Sequence, residues 1–189
     1  MIYSFYNYPY NYSTNMYYNY NPYYRPYPYV NQCPATDLLY HNLRAADQNT
    51  NINVLKDYGP NPFVFNIEKA TTANNAFRTA IWTGNHLQVT LMSINPGESI
   101  GLELHPDTDQ FIRVESGEGV VTMGENKDNV NFRENLYDDF VVIVPAGKWH
   151  NIFNTGTKPL KLYSVYAPPQ HPRGTIHQTK EIAMASEKH

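Results

Sequence analysis

Glu103 and His105 stand two residues apart in SIGLELH, a run that alternates in the manner of a β-strand. Successive strand side chains point to opposite faces, so this carboxylate and this imidazole project together, with Leu104 behind them, and can share one metal ion. Pro106-Asp107-Thr108-Asp109 reads as a turn, after which Gln110, Ile112 and Val114 take one face of the next strand and Phe111 and Arg113 the other. Later in the chain His150 shares its face with Ile152 and Asn154, and Pro145 and Gly147 shape the turn that delivers it.

The spacing of these residues carries a resemblance. Gly97, Glu103, His105, Gln110 and Gly117 lie in PGESIGLELHPDTDQFIRVESG, and Pro145, Gly147, His150 and Asn154 lie in PAGKWHNIFN. The two segments resemble the paired motifs of the cupin superfamily, lacking only the leading Gly of the second, where Asp139 stands. The likeness spans residues 61–171. It is nearest to the small single-domain bacterial cupins of the mannose-6-phosphate isomerase-like type, through FRTAIWTG, GLELHPDTDQFIRVESGEG and LKLYSVYAPPQHP.

The resemblance implies an all-β fold, a cupin double-stranded β-helix or jelly-roll barrel, and a homodimer. It also implies a divalent metal held by three His and one Glu, at positions that are Glu103, His105, Gln110 and His150 in this sequence. Glu103 replaces the first His and Gln110 replaces the Glu, so one carboxylate is kept and has moved. Two neutral imidazoles, a carboxylate and an amide oxygen suit Zn, Mn, Fe or Ni and leave positions open for water or substrate. The function implied is isomerase-like chemistry on a small polar molecule such as a sugar or sugar phosphate, with a metal-dependent dioxygenase as an alternative.

Other residues are candidates for supporting roles. His171 and His177 lie in the Pro-rich segment PPQHPRGTIHQTK, and His177 is the candidate catalytic acid or base. Arg78, Arg113 and Lys180 are candidate holders of an anionic substrate, although the parity of Arg113 opposes that of Gln110. Asp107 and Asp109 read as turn formers.

The elements that must position these groups follow Gly59-Pro60-Asn61-Pro62, a strong break. Short apolar or alternating runs succeed one another: FVFNI, AFRTAIW, LQVTLMSI, SIGLELH, QFIRVES, GVVTMG, FVVIVP, HNIFN and LKLYSVYA. Turn residues at Asn95-Pro96-Gly97, Ser116 to Gly119 and Asn154 to Gly156 separate them, the pattern of a sandwich or barrel. FVVIV, apolar on both faces, reads as a strand covered on both sides. Beyond Pro168 the chain reads as loop that wraps the barrel mouth or a partner subunit.

The N-terminal part has a different character. Twelve of the 17 tyrosines precede residue 30, interleaved with Asn and Pro, and Arg25 is the sole charge before Asp37. Residues 1–35 therefore read as a disordered low-complexity tail. Residues 36–60 read as a linker with a short helix through DLLYHNLRAADQ, residues 61–171 as the barrel and 172–189 as a C-terminal extension. The tail resembles the Tyr-rich extensions of spore coat and exosporium proteins, which implies assembly at a spore surface through residues 1–34.

A net charge of −3 in mixed signs gives no basic face for nucleic acid or anionic membranes. The single cysteine, Cys33, cannot form an internal disulfide. MIYSFYNYPY lacks the basic start and apolar run of a secretion signal, so the expectation is cytoplasmic synthesis.

Overall fold

A computed structural model describes residues 55–186. The expected tail, the expected helix near residues 37–48 and Cys33 lie outside them.

Ten strands and two short helices make up the described region. In chain order they are α1 (Ile67–Ala73), β1 (Arg78–Thr83), β2 (Gln88–Ile94), β3 (Glu103–Leu104), β4 (Asp109–Ser116) and β5 (Gly119–Gly124). Then come β6 (Phe132–Leu136), β7 (Val141–Val144), β8 (Trp149–Asn154), β9 (Leu160–Ala167), β10 (Ile176–His177) and α2 (Lys180–Ser186). The strands pair antiparallel in a six-stranded sheet, β10-β1-β2-β9-β4-β7, and a four-stranded sheet, β3-β8-β5-β6. The expected jelly roll is the observed architecture.

The interior is divided along the strands. At one end Met92, Ile94, Ile112, Val114, Leu160 and Leu162 form the apolar core with Val121, Leu136 and Ile152 of the other sheet. At the other end the same inward face carries Thr90, Gln110, Ser164 and Tyr166, each fully buried. Registration aligns these polar residues: Gln110 lies opposite Tyr166, which lies opposite Gln88. Parity along each strand thus places a polar chamber above an apolar floor.

Two motif glycines close turns that only a left-handed residue suits. Glu98 N donates to Asn95 O and Lys148 N to Pro145 O, with Gly97 at φ 76° and Gly147 at φ 78° as the third residue of each turn. This is type II geometry, which favours Gly there. Gly147 N also donates to His105 O at 2.8 Å, tying the turn before His150 to the other imidazole's backbone.

Several expectations are corrected. FVFNI is no strand: Asn66 caps α1, its side chain accepting from Lys69 N at 2.9 Å. The aromatics before it stack, Tyr58 on Phe63 and Phe63 on Phe65. Phe65 and Ile67 pack with Ala70 of α1 over Ile81 and Leu91, on the outer face of the six-stranded sheet. β7 is not covered on both sides within one chain, since Val142 and Val144 are buried while Val141 and Ile143 are 46% and 58% exposed at the sheet edge. β6, FRENL, was not among the expected strands because its residues are polar and mostly exposed. The segment after Pro168 is not all loop: Ile176–His177 pairs with β1, and Ala183 of α2 enters the core.

Candidate metal centre

β3 and β8 bring Glu103 directly opposite His150, and His105 follows just beyond β3. One donor atom from each of Glu103, His105 and His150 lies within 4.8 Å of the others. The two imidazole rings meet edge-on, with centroids 5.2 Å apart. His150 Nδ1 faces Lys148 O at 3.0 Å, which fixes this nitrogen as the donor and turns Nε2 inward as a lone pair. That Nε2 stands 3.7 Å from Glu103 Oε1. The separation exceeds a hydrogen bond and suits two donors each about 2 Å from a shared ion.

Buried polar atoms normally have partners. Here both ring nitrogens of His105, Nε2 of His150 and Oε1 of Gln110 are buried without a hydrogen-bond partner. A cation accepting one lone pair from each of these side chains accounts for all of them but the protonated ring nitrogen of His105, so the residues fit a divalent metal. Gln110 Nε2 donates to Ser164 Oγ at 3.1 Å, leaving its oxygen as the orphan. Gln110 shares the inward face with Tyr166, whose ring meets His105 edge-on at 5.7 Å.

Arg78 supplies the charge behind the centre. Its guanidinium is 1% exposed and stands 3.7 Å from Glu103 Oε2, while the other carboxylate oxygen faces His150. A partly buried carboxylate is thereby balanced and aimed. Burial is also the main influence on the imidazoles. It brings His105 down to about 4, with His150 and Arg78 adding to the effect, and it lowers His150 against the opposing hydrogen bond that His150 donates to Lys148 O. Both rings are neutral near neutral pH, the form that ligates.

This sets a pH dependence for the metal-free protein. An unfolded His binds a proton near 6.5, but folded His105 does so only near 4. Between these values the unfolded state holds more protons, so stability falls as pH drops from 6.5 toward 4 and is fully present above 6.5. Thermal midpoints of chelator-treated protein should decline across that window. A flat or rising midpoint there contradicts the burial of neutral imidazoles.

A cavity of about 550 Å³ opens beside the triad. Glu103 and His105 line it together with His171, Thr175, His177 and Ser186. His177 Nε2 and Ser186 Oγ lie 3.1 Å apart. The remaining sequence candidates are elsewhere. Arg113 bonds Asp139 and Glu115 away from the site. Lys180 donates to Ser99 Oγ at 3.0 Å. Asp109 accepts from Ala146 N at 2.8 Å, a turn role. Tyr166, Ser164 and Gln88 were not read from the sequence as site residues. The alternation of LKLYSVYA, which puts Tyr166 on the face of Leu162 and Ser164, was the available signal.

Comparison with known proteins adds kinship. Residues 90–166 match the family described as Cupin domain. The chain is 61% identical over 145 residues to the Bacillus subtilis protein YrkC, covering 77% of each. It is 42% identical over 115 residues to a protein of Acanthamoeba polyphaga mimivirus, covering 60% of this chain and 70% of that one. The crystal structure of BH2720 from Bacillus halodurans superposes with a TM-score of 0.68 at 64% identity, covering 69% of this chain and 98% of that one.

Proposed function

This chain belongs to the cupin superfamily, and on that premise we propose that it is a metal-dependent enzyme acting on a small polar substrate such as a sugar or sugar phosphate. The observation that carries the reading is the set of unpartnered buried donors beside an open cavity. Glu103, His105 and His150 would hold the ion, with Gln110 Oε1 as a further donor or the partner of a ligand water. What a divalent ion supplies when bound there is polarisation of a substrate carbonyl or hydroxyl oxygen, and with Fe, Mn or Ni the two-imidazole, one-carboxylate set also suits dioxygen chemistry.

The protein's own groups supply the remainder. Arg78 balances the charge of Glu103 and orients it, and Lys148 O keeps His150 in the ligating tautomer. Gln170, His171, Pro172 and Thr175 line the cavity in which a substrate would lie. His177 lines the same cavity as Glu103 and His105 and lies 3.1 Å from Ser186 Oγ, which supports its assignment as the group that takes or returns a proton.

The Tyr-rich composition of residues 1–34 favours a second reading, in which the barrel is the folded module of a spore-surface protein. One experiment separates the two. Metal-reconstituted protein is assayed for isomerisation of a panel of sugar phosphates, beside His177→Ala and a variant lacking residues 1–34. The enzyme reading expects turnover that falls roughly 10²- to 10⁴-fold in His177→Ala and survives the deletion. No turnover on any substrate, with loss of spore-surface incorporation on deletion, contradicts it.

A further inference from the structure

Part of the cavity wall is built, with some care, from chain that lies beyond the matched cupin region of residues 90–166. The fully buried Gln88 grips the main chain of His171 twice, donating to its carbonyl at 2.8 Å and accepting from its N–H at 2.9 Å. Asp57 Oδ2 accepts from Gly174 N, and Ala80 N donates to Thr175 O. The His171 ring stands edge-on to Tyr166 at 5.2 Å, and the same tyrosine meets His105. His171 Nε2 is buried and has no hydrogen-bond partner, although the ring lines the cavity.

The charge of the cavity is one-sided. Glu103 is the one acid among the described residues that line it, and Arg78 already stands against that carboxylate. With a divalent ion on the triad the chamber carries an uncompensated positive charge of about two. Such a charge favours a counter-anion.

We propose that the cavity receives a small oxyanion-bearing molecule, a carboxylate or a phosphate, and that His171 is its specificity-determining contact beside the metal triad. This rests on the metal-enzyme reading and narrows it: a neutral sugar is a poor occupant and an acidic or phosphorylated one a good occupant. His171 acts as a neutral hydrogen-bond donor to the anion. Its backbone clamp is independent of its ring, so replacing the ring leaves the wall in place.

The test is calorimetric titration of metal-reconstituted protein with malonate, inorganic phosphate and uncharged malonamide, with metal content measured on the same samples. The proposal expects malonate or phosphate to bind at least about tenfold more tightly than malonamide, and His171→Ala and His171→Gln each to lose about tenfold in that affinity at unchanged metal content. The tighter of the two anions identifies the source chemistry as carboxylate or phosphoryl. Stoichiometric metal with malonamide bound as well as the anions, or with both His171 variants binding like wild type, overturns this inference alone. Absence of metal overturns it together with the reading on which it rests.

Discussion

Replacing Asn154 by alanine is expected to destabilise the protein by about 3 kcal/mol and to lower its melting temperature by on the order of 10 °C. Asn154, the last residue of the second motif, is 2% exposed. Its Nδ2 donates to Ile94 O and Lys158 O, both at 2.8 Å, and its Oδ1 accepts from Gly156 N at 2.9 Å. Its own backbone bonds Glu98 O and Gly97 N. The side chain thus joins the end of β2 to the turn after β8, while the residue's backbone holds the turn of the first motif. Alanine would strand the buried Ile94 carbonyl, at about 1–3 kcal/mol before relaxation, and also lose the part-buried bonds to Lys158 O and Gly156 N, at about 1 kcal/mol each. Asn151→Ala is the comparison, because Asn151 Oδ1 accepts one bond, from Gly101 N at 3.2 Å, and its loss should cost about 1 kcal/mol. Chemical denaturation of the two variants measures the difference. An Asn154→Ala protein within about 1 kcal/mol of wild type would show that the motif asparagine does not lock the barrel.

The site was legible in the sequence where chemistry coincided with strand parity. Glu103 and His105 are two apart on one strand end, so alternation put them on one face, and the motif resemblance joined His150 to them. The barrel was legible through its turns and alternating runs. What escaped had other physical causes. FVFNI is rich in strand formers, but an Asn cap and aromatic packing against the sheet exterior outweighed local propensity. FRENL pairs as a strand with polar side chains facing solvent, so no hydrophobic period marked it. Arg78 was read as a substrate holder, and its nearest role is to balance Glu103, a contact made between strands of the two different sheets, which no local pattern reveals. His171 was noted with His177, but the Gln88 clamp that fixes it joins residues 83 apart. No local pattern announces such a contact.

The second large effect concerns the triad. His105→Ala and His150→Ala each remove one of three convergent donors, so each should weaken metal binding by more than the roughly 100-fold that loss of an outer-shell partner costs. Gln110→Ala should weaken it less, since Gln110 offers a neutral amide oxygen and spends its Nε2 on Ser164. The imidazole changes should also remove the thermal stabilisation that a bound ion confers on the native state, a stabilisation of about 2.7 kcal/mol at a hundredfold excess over Kd. Both variants delete part of a buried cluster, and the metal-free melting temperature of each separates lost affinity from lost structure.

The most direct measurement is the metal content of wild-type, His105→Ala and His150→Ala proteins after exposure to Zn, Mn, Fe and Ni in turn. The triad predicts a stoichiometric ion of at least one of these metals in the wild type and little or none in either variant. A wild-type protein that retains none of the four, or a His150→Ala protein that retains as much as wild type, would contradict a metal centre at Glu103, His105 and His150.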